Sequence, residues 1–276
     1  MCDKKTRVFV VTGANRGIGF AIVRGIAKSV DGVVYLTARN PEFGRQAVDQ
    51  IKLDLGAHLK ADVRPATLDI TDQGSVNDLR TLLEHDGVDV LINNAGIAFN
   101  DDVDTTEESE HTSARRRVEQ VESVIDVNYY GTKRVCEALI PIIRPGGRQV
   151  SEHIRKYKSE LTADLLSPHV SVETIDQFVE DYKKLVREEQ CEEGFTLTAY
   201  KISKATELAF SKVLARDLRS LQIKVNACCP GFCATRLSDW TGPLDAMEGA
   251  DTPVYLAVDP SAPAGVFIFE RKVIAW

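Results

Sequence analysis

Tyr200 and Lys204 are the pair of residues in this sequence best suited to moving a proton. On a helix, residues i and i+4 share one face, so the phenol and the ammonium would be neighbours. An adjacent ammonium favours the phenolate, which makes the phenol useful for proton transfer. The spacing alone is not specific, because Tyr129 and Lys133 repeat it in the same chain. Tyr200 is distinguished by its position between a long polar segment and the last strand-like run, residues 224–229.

A glycine-rich segment, residues 12–19 (TGANRGIG), lies between a strand-like run and a helical one. Glycines allow a tight turn and let the backbone approach a pyrophosphate, which the N-terminus of the following helix stabilises. Any tight turn can hold three glycines, so the pattern alone is weak. Its strand–turn–helix context favours dinucleotide binding over a plain turn.

Arg39 stands twenty residues past Gly19, at the end of the second strand-like run. An acidic residue there would accept a hydrogen bond from a ribose 2′-hydroxyl, whereas an arginine accommodates a 2′-phosphate. Arg16 adds a second cation inside the glycine-rich segment. Either arginine alone could be an ordinary surface residue. The presence of both at these two positions is explained better by a phosphate site. The sequence therefore predicts NADPH as the cofactor, in preference to NADH.

Composition argues against several classes of protein. The 276 residues include 34 Lys+Arg and 41 Asp+Glu, a net charge of −7, which disfavours non-specific nucleic-acid binding. No apolar run approaches the roughly 18 residues typical of a transmembrane helix, so no membrane span is predicted. The six cysteines include no CxxC pair, and no histidine lies near Cys228, Cys229 and Cys233. We therefore predict reduced thiols, no metal site and a cytoplasmic location.

The first half of the chain alternates strand-like and helix-like stretches. This alternation predicts an α/β fold with a doubly wound, Rossmann-like parallel sheet and helices on both faces. We expect one domain over residues 1–276, with a polar, mostly helical insertion at about 151–195, and a charged loop leading into a helix at 100–119. Helices are predicted to begin after Asn40 and after Thr71 or Asp72. The predicted strands are residues 7–11, 32–37, 66–70, 88–92 and 224–229.

Five motifs, in this order, resemble those of the short-chain dehydrogenase/reductase family. They are residues 12–19, 93–96 (NNAG), 127–132 (VNYYGT), the Tyr200/Lys204 pair and residues 230–231 (PG). The segments 226–231 (NACCPG) and 251–257 (DTPVYLA), with the insertion before Tyr200, are similar to the cytosolic carbonyl reductase branch of that family. The resemblance covers nearly the whole chain.

The resemblance implies roles for individual residues. Tyr200 would donate a proton to the substrate carbonyl oxygen, Lys204 would hold the nicotinamide ribose, and Asn128 would anchor a water in the proton relay. The residues implied to line the NADPH site are Gly13, Asn15, Arg16, Gly17, Ile18, Gly19, Arg39, Asp69, Ile70, Asn94, Ala95, Gly96, Tyr200, Lys204, Pro230, Gly231 and Thr235. The implied substrates are small aldehydes, ketones and quinones. The insertion implies a monomer, because in that branch it covers the helix face used elsewhere for dimerisation.

One element of the family pattern is not matched. A buried strand ending in a catalytic serine should follow Gly147, but residues 148–156 read RQVSEHIRK, too polar for a central strand. We expect most of that strand and its serine to be deleted, with residues 151–157 belonging to the insertion. Either residues 149–154 fill the slot as an inferior strand or the sheet is locally broken.

Two functions therefore compete. The first is an NADPH-dependent reductase of carbonyl compounds, with Ser151 or His153 as candidate replacements for the missing donor. The second is a catalytically weak or inactive NADP(H)-binding variant of a carbonyl reductase. A third possibility, a protein that retains the fold without binding a cofactor, is disfavoured. Such a protein would have no need of Tyr200, Lys204, Asn128 or Arg39.

Overall fold

The computed structural model describes residues 5–99, 110–152, 165, 167–188 and 199–275, including the backbone but not the side chains of residues 110–117 and 152. The candidate donor His153, the acidic part of the segment predicted at 100–119, and much of the insertion predicted at 151–195 lie outside the described residues.

The described strands form one sheet. They are β1 (Val8–Val11), β2 (Val33–Ala38), β3 (Asp62–Thr67), β4 (Val88–Asn93), β5 (Ile143–Glu152), β6 (Lys224–Cys229), β7 (Phe267–Phe269) and β8 (Lys272–Ile274). Their order is β3-β2-β1-β4-β5-β6-β7-β8, and every pair is parallel except β7 with β8. The strand order reverses between β1 and β4, and in such sheets ligands bind outside the carboxyl ends of the strands at the reversal. The predicted doubly wound α/β fold is confirmed.

Helices cover both faces of this sheet. They are α1 (Gly17–Ser29), α2 (Pro41–Leu55), α3 (Gln73–Glu84), α4 (Glu110–Ile125), α5 (Thr132–Leu139), α6 (Val172–Arg187), α7 (Ala199–Asp217) and α8 (Ala246–Val258). A π-helical segment, Asp126–Gly131, joins α4 to α5. Helices α1, α2 and α8 pack on one face, and α3 to α7 on the other. Within the described residues, no helix is both long and apolar enough to cross a membrane.

Local sequence signals explain where several elements begin. All four residues of β1 are buried, as expected for an apolar run in a parallel sheet. Asn40 caps α2 by accepting a hydrogen bond from the amide of Glu42 at 2.8 Å. Asp72 caps α3 in the same way through the amide of Gly74 at 2.9 Å. Both helix starts match the sequence prediction, and Asp72 is the capping residue of the two candidates.

The third strand is displaced from its predicted position. It was expected at residues 66–70, but β3 spans Asp62–Thr67. It is one of the two edge strands of the described sheet, and only Val63 and Ala66 are buried in it. The apolar residues Leu68 and Ile70 follow the strand and are buried. Because the prediction was based on apolar residues, it placed the strand too far towards the C-terminus.

The position between β4 and β6 is filled by β5, so the described sheet is continuous. Residues 148–151 pair in parallel with both neighbours. The register with β4 shifts between Val88 and Val90. Gly147 permits this irregularity, because a Cβ there would lie 2.5 Å from the Ile143 side chain.

This finding corrects the expectation that Ser151 lies in the insertion, whereas the deletion of part of the family's strand and of its serine stays a prediction. Ser151 belongs to β5, where it lies opposite Asn93 of β4 and Ala227 of β6, and it is not part of an insertion over 151–157. The sequence analysis left two alternatives, an inferior strand between β4 and β6 or a broken sheet. Residues 149–152 match the first of them.

Polar side chains can occupy β5 because most of their hydrogen bonds are met inside the fold. Arg148 donates to the carbonyl oxygens of Leu256 and Asp259, each at 2.9 Å, and so caps the C-terminal end of α8. Gln149 donates its amide N–H to Ser151 Oγ. The amide oxygen of Gln149 is buried and accepts no hydrogen bond from the described residues, at a cost of about 1–3 kcal/mol. The strand is therefore formed but polar.

Candidate active site

The glycine-rich segment packs directly against the chain that leaves β4. Gly13 and Gly17 have φ values of 61° and 57°, in the left-handed region that favours glycine. A Cβ on Gly13 would lie 2.8 Å from Ala95 Cα, closer than any side chain allows. Two segments that the sequence analysis assigned to the cofactor, residues 12–19 and 94–96, are thus in contact.

Asn94 connects these two segments by hydrogen bonds. Its Nδ2 donates to the carbonyl oxygens of Thr12 at 2.7 Å and Gly13 at 3.0 Å. Thr12 Oγ1 accepts from the amides of Asn94 and Ala95, both at 3.0 Å. A Cβ on Gly19 would lie 2.4 Å from Asn94 Nδ2, so this glycine is required by packing. The structure gives Asn94 a scaffolding contact that spacing alone did not show.

The N-terminal end of α1 suits an anion. The helix starts at Gly17, and among the described residues no side chain caps it and no acidic residue stands in its first turn. Its first backbone N–H groups are therefore available to accept negative charge, as a pyrophosphate site requires. Asn15 and Ile18 are partly buried in this turn, and Arg16 is exposed beside it. These residues fit the phosphate groups of a dinucleotide.

Arg39 and Asp69 mark the neighbouring part of the same edge. Arg39 directly follows β2 and is exposed. Burial raises the pKa of Asp69, but hydrogen bonds from Thr71 and the charges of Arg39 and Arg134 outweigh it and lower that pKa overall. The Asp69 carboxylate accepts from Thr71 Oγ1 at 2.7 Å and from the Thr71 amide at 2.9 Å. The exposed guanidinium of Arg39 thus lies near the ionised, hydrogen-bonded carboxylate of Asp69.

Ile70 is held against the π-helical segment. A Cβ on Gly131 would lie 2.8 Å from the Ile70 side chain, so glycine permits the close approach. Arg134 donates to the Ile70 carbonyl oxygen at 3.0 Å and pairs with Asp126 at 2.8 Å. These contacts fix the loop that carries Asp69 and Ile70 to the helix that carries Asn128.

Asn128 lies in the π-helical segment and is fully buried. Its Oδ1 accepts from the amide of Ile97 at 2.8 Å, and its Nδ2 donates to the Ile97 carbonyl oxygen and to Ser203 Oγ, both at 2.9 Å. A Cβ on Gly96 would lie 3.2 Å from Asn128 Oδ1 and 3.6 Å from Lys204 Nζ. The predicted residues Gly96, Asn128 and Lys204 are thus brought together. Single π-helical turns are frequent at functional sites.

Tyr200 and Lys204 lie one turn apart near the start of α7. Lys204 is 9% exposed, and its Nζ lies 5.8 Å from the centroid of the half-buried Tyr200 ring. Ser203 donates to the Tyr200 carbonyl oxygen at 2.8 Å and accepts from Asn128. Ser203, which sequence reasoning missed, therefore connects Asn128 to the backbone of Tyr200.

Glu207 is a second residue that the sequence analysis missed. Its carboxylate lies 2.7 Å from Lys204 Nζ, and Thr132 Oγ1 donates to its other oxygen at 3.1 Å. The signal was available: an acidic residue three positions after a candidate catalytic lysine on the same predicted helix.

The chain after β6 passes over the glycine-rich segment. A Cβ on Gly17 would lie 3.7 Å from the Thr235 methyl group. A Cβ on Gly249 of α8 would lie 3.3 Å from the Pro230 carbonyl oxygen and 3.5 Å from the Ile18 side chain. Pro230 and Thr235 therefore lie beside the start of α1, on the side predicted for the cofactor, whereas a Cβ on Gly231 would meet the side chain of Leu244.

The second Tyr-x-x-x-Lys pair is built into the core. Tyr129 is fully buried and donates to Asp176 Oδ1 at 2.7 Å, while Lys133 Nζ lies 2.6 Å from Asp176 Oδ2. Burial, and then the hydrogen bond to Asp176, raise the pKa of Tyr129. This tyrosine stays neutral and is a structural residue.

Comparison with known proteins places these features in a family. The family model described as short chain dehydrogenase matches residues 7–151 and 190–243. "Carbonyl reductase [NADPH] 1" of Bos taurus is 38% identical, with 98% of each chain covered. "Carbonyl reductase [NADPH] 3" of Mus musculus is 36% identical, covering 98% of this chain and 99% of the relative.

A solved structure with the same fold also exceeds 25% identity. Salutaridine reductase from Papaver somniferum superposes with a TM-score of 0.80 at 29% identity, covering 96% of this chain and 99% of its own. Together with the family match over more than half of the chain, these similarities agree with the five motifs that the sequence presents in order. This chain belongs to the short-chain dehydrogenase family.

Proposed function

We propose that this protein reduces the carbonyl group of small aldehydes, ketones or quinones to an alcohol, with NADPH as the hydride donor. The observation that carries the proposal is the joint position of Tyr200, Lys204 and Asn128: Ser203 links Asn128 to the Tyr200 backbone, and Lys204 Nζ lies 5.8 Å from the centroid of the Tyr200 ring. The relatives named carbonyl reductase [NADPH], which align over 98% of this chain, support the same activity and cofactor.

The residues at the carboxyl edge of the sheet fit NADPH. The N-terminus of α1 would receive the pyrophosphate, and Arg39 with Arg16 would receive the 2′-phosphate. Asp69 and Ile70 would lie by the adenine. The remaining predicted contacts would follow the cofactor towards the nicotinamide: Asn94, Ala95, Gly96, Pro230, Gly231 and Thr235.

Tyr200 is the proton donor in the proposed mechanism. When bound, NADPH supplies the hydride. Tyr200 donates its hydroxyl proton to the carbonyl oxygen as negative charge develops there. The ammonium of Lys204 favours the phenolate that this transfer leaves. Asn128 holds the backbone of Ile97 and the hydroxyl of Ser203, which keeps the start of α7 in place.

The second candidate function is a weak or inactive NADP(H)-binding variant. Ser151 favours it, because the one serine of β5 is only 2% exposed and accepts a hydrogen bond from Gln149. A site that lacks one donor to a developing oxyanion loses about 10²–10³ in rate. Such a protein would bind NADPH with little turnover.

We also infer a monomer with a single domain over 1–276 and a helical insertion at about 151–195. The family match stops at residue 151 and resumes at 190, and α6 lies in that gap. Helix α6 contacts the α4–α5 region through Asp176, through a 2.9 Å hydrogen bond from Tyr130 to Glu180, and through Arg187 with Glu122. It would therefore occupy a helix face that could otherwise hold a second copy.

A cytoplasmic location is part of the same proposal. None of the four described cysteines forms a disulfide, and all four are buried. Reduced thiols are usual for proteins of the cytosol.

The test is turnover with a simple quinone. Purified protein is mixed with NADPH and menadione, and the absorbance of the cofactor is followed. We expect menadione-dependent NADPH oxidation, with an affinity for NADPH about tenfold or more above that for NADH. The variant Arg39→Ala should lose most of that preference while its affinity for NADH changes little.

Folded protein that binds NADPH but does not turn over would establish the second candidate. Folded protein that binds neither cofactor would overturn both. Size-exclusion chromatography with light scattering tests the monomer, and a dimer would contradict it.

A further inference from the structure

We propose that Glu207 is a positioning residue for Lys204, and that its buried carboxylate keeps the lysine charged and in place beside Tyr200. The inference rests on the proposed function, because it assigns a task to the pair of residues that the reaction would use. Glu207 itself need touch neither substrate nor cofactor.

The geometry of the ion pair is the first support. Glu207 Oε2 lies 2.7 Å from Lys204 Nζ, and the two residues are three positions apart on α7. The side chain of Lys204 is 10% exposed and that of Glu207 is 4% exposed. Water therefore cannot replace the carboxylate as the partner of the ammonium without a rearrangement of the core.

A second helix fixes the carboxylate. Thr132, the first residue of α5, donates its hydroxyl to Glu207 Oε1 at 3.1 Å. Oε1 of Glu207 is thus fixed by a hydrogen bond from α5, whereas Oε2 is buried at ion-pair distance from Lys204 on α7 and accepts no hydrogen bond with good geometry from the described residues. A carboxylate fixed through Oε1 gives Lys204 a defined ion-pair partner, which the flexible lysine side chain otherwise lacks.

The electrostatic consequence follows from burial. Burial raises the pKa of Glu207 overall, because its effect outweighs the charge and close contact of Lys204 and the hydrogen bond from Thr132, which lower that pKa. The ionised form of Glu207 in this inference therefore rests on the 2.7 Å ion pair with Lys204. The nearby Cys136 on α5 is also buried, which raises the pKa of its thiol to about 12, so this group is neutral at ordinary pH. On α7, the other titratable group that faces Lys204 is Tyr200. Gly96 in the loop after β4 and Asn128 in the π-helical segment also face Lys204, and neither has a titratable side chain.

Removing one charge of such a pair leaves the other buried without a partner. That situation favours the neutral amine of lysine over the ammonium. A neutral Lys204 would no longer favour the phenolate of Tyr200. The charge of Glu207 would thus act on Tyr200 through Lys204.

The variant that tests the inference is Glu207→Gln, which keeps the volume and an acceptor oxygen but removes the charge. The rate constant kcat and both KM values are measured with NADPH and menadione between about pH 6 and pH 10. We expect kcat to fall about tenfold or more, with KM for menadione within about twofold. The alkaline decline of kcat, which in this inference follows the loss of the proton from Lys204, should begin at lower pH, because a buried ammonium without its carboxylate loses its proton more readily. Glu207→Asp restores the charge and should recover part of kcat and the original pH profile.

The matched control is Asp176→Asn, which removes the carboxylate beside Lys133. It should lower Tm while leaving kcat and its pH profile unchanged, because that pair has no part in the reaction. A Glu207→Gln enzyme that likewise loses only Tm would overturn the inference. If Glu207→Gln does not fold, Glu207→Asp decides, and a wild-type kcat in that variant would contradict the positioning role.

The same experiment separates this inference from the function on which it rests. Wild-type protein without turnover overturns the proposed function and the inference together. Wild-type turnover with an unchanged Glu207→Gln variant overturns the inference alone.

Discussion

The chain contains the Tyr-x-x-x-Lys pattern twice, and the two copies have opposite surroundings. Tyr129 is fully buried and donates to the same carboxylate, Asp176, that holds Lys133. Tyr200 is half-buried, and the carboxylate next to its lysine, Glu207, comes from the following turn of the same helix. Both pairs have helical spacing and a carboxylate within 3 Å of the lysine.

The difference between the two pairs lies in what the phenol faces. The phenol of Tyr129 is buried and faces the carboxylate of Asp176; burial and then this hydrogen bond oppose ionisation and raise its pKa. Tyr200 lies beside the ammonium of Lys204, which in turn lies near Gly96 and Asn128. Spacing makes neighbours of a tyrosine and a lysine, and the surroundings decide whether the pair can transfer a proton.

The largest expected effect comes from removing one hydroxyl from each pair. Tyr200→Phe should lower kcat by about 10²–10⁴, because it deletes the proposed general acid. Tyr129→Phe should leave kcat within about twofold but lower the free energy of unfolding by about 1.5–3 kcal/mol, because a hydrogen bond to a charged acceptor is lost. Steady-state kinetics and urea unfolding of both variants are the measurements. If Tyr200→Phe and Tyr129→Phe lost kcat to the same extent, the assignment of a catalytic role to Tyr200 and a structural role to Tyr129 would be wrong.

A smaller effect should appear in the alkaline stability of the protein. The pKa of Tyr129 is raised in the folded state, so its contribution to stability is fully present below the unfolded-state pKa of about 10. Above that pH the unfolded chain loses this proton while the folded chain retains it, and the free energy of unfolding declines. Urea unfolding between about pH 8 and pH 11 should show a steeper decline for the wild type than for Tyr129→Phe. Parallel curves for the two proteins would contradict the assignment.

The smallest expected effect is that of removing the Ser151 hydroxyl. It tests whether Ser151 acts beside Tyr200 as a second hydrogen-bond donor to the substrate carbonyl oxygen. Ser151→Ala should keep kcat within about threefold of the wild type, because the Ser151 hydroxyl is buried and bonded to Gln149. A loss of about 100-fold would identify Ser151 as an oxyanion donor. The alanine variant removes few atoms, so its circular dichroism spectrum should match that of the wild type.

Local sequence signals predicted much of the fold. The apolar run of β1, the capping residue Asn40 and the glycine-rich turn lie where their patterns indicated. These features depend on contacts within a few residues or on burial of a continuous apolar run. Helix α8 and the strands β7 and β8 were not predicted, because the strands are only three residues long and Pro253 interrupts the helical pattern.

The strand β5 and the residue Glu207 could not be assigned in this way. Arg148 is tolerated in the centre of the sheet because it binds carbonyl oxygens at positions 256 and 259, more than 100 residues away in sequence. Glu207 is stabilised by Thr132, which lies 75 residues earlier. The place of Arg148 depends on tertiary contacts that no local pattern contains, and the polarity of β5 was the misleading signal. The i,i+3 spacing of Glu207 from Lys204 was visible in the sequence, but its burial and its hydrogen bond from Thr132 were not.

The hydrogen bonds of Arg148 also determine when the sheet can be completed during synthesis. Until the segment that ends at Asp259 has left the ribosome, the guanidinium has no carbonyl acceptors in α8 and must remain in water. Strand β5 therefore cannot make these native hydrogen bonds before residues 256–259 have left the ribosome. Until then, a nascent chain of this protein leaves the side of β5 that packs on α8 uncovered.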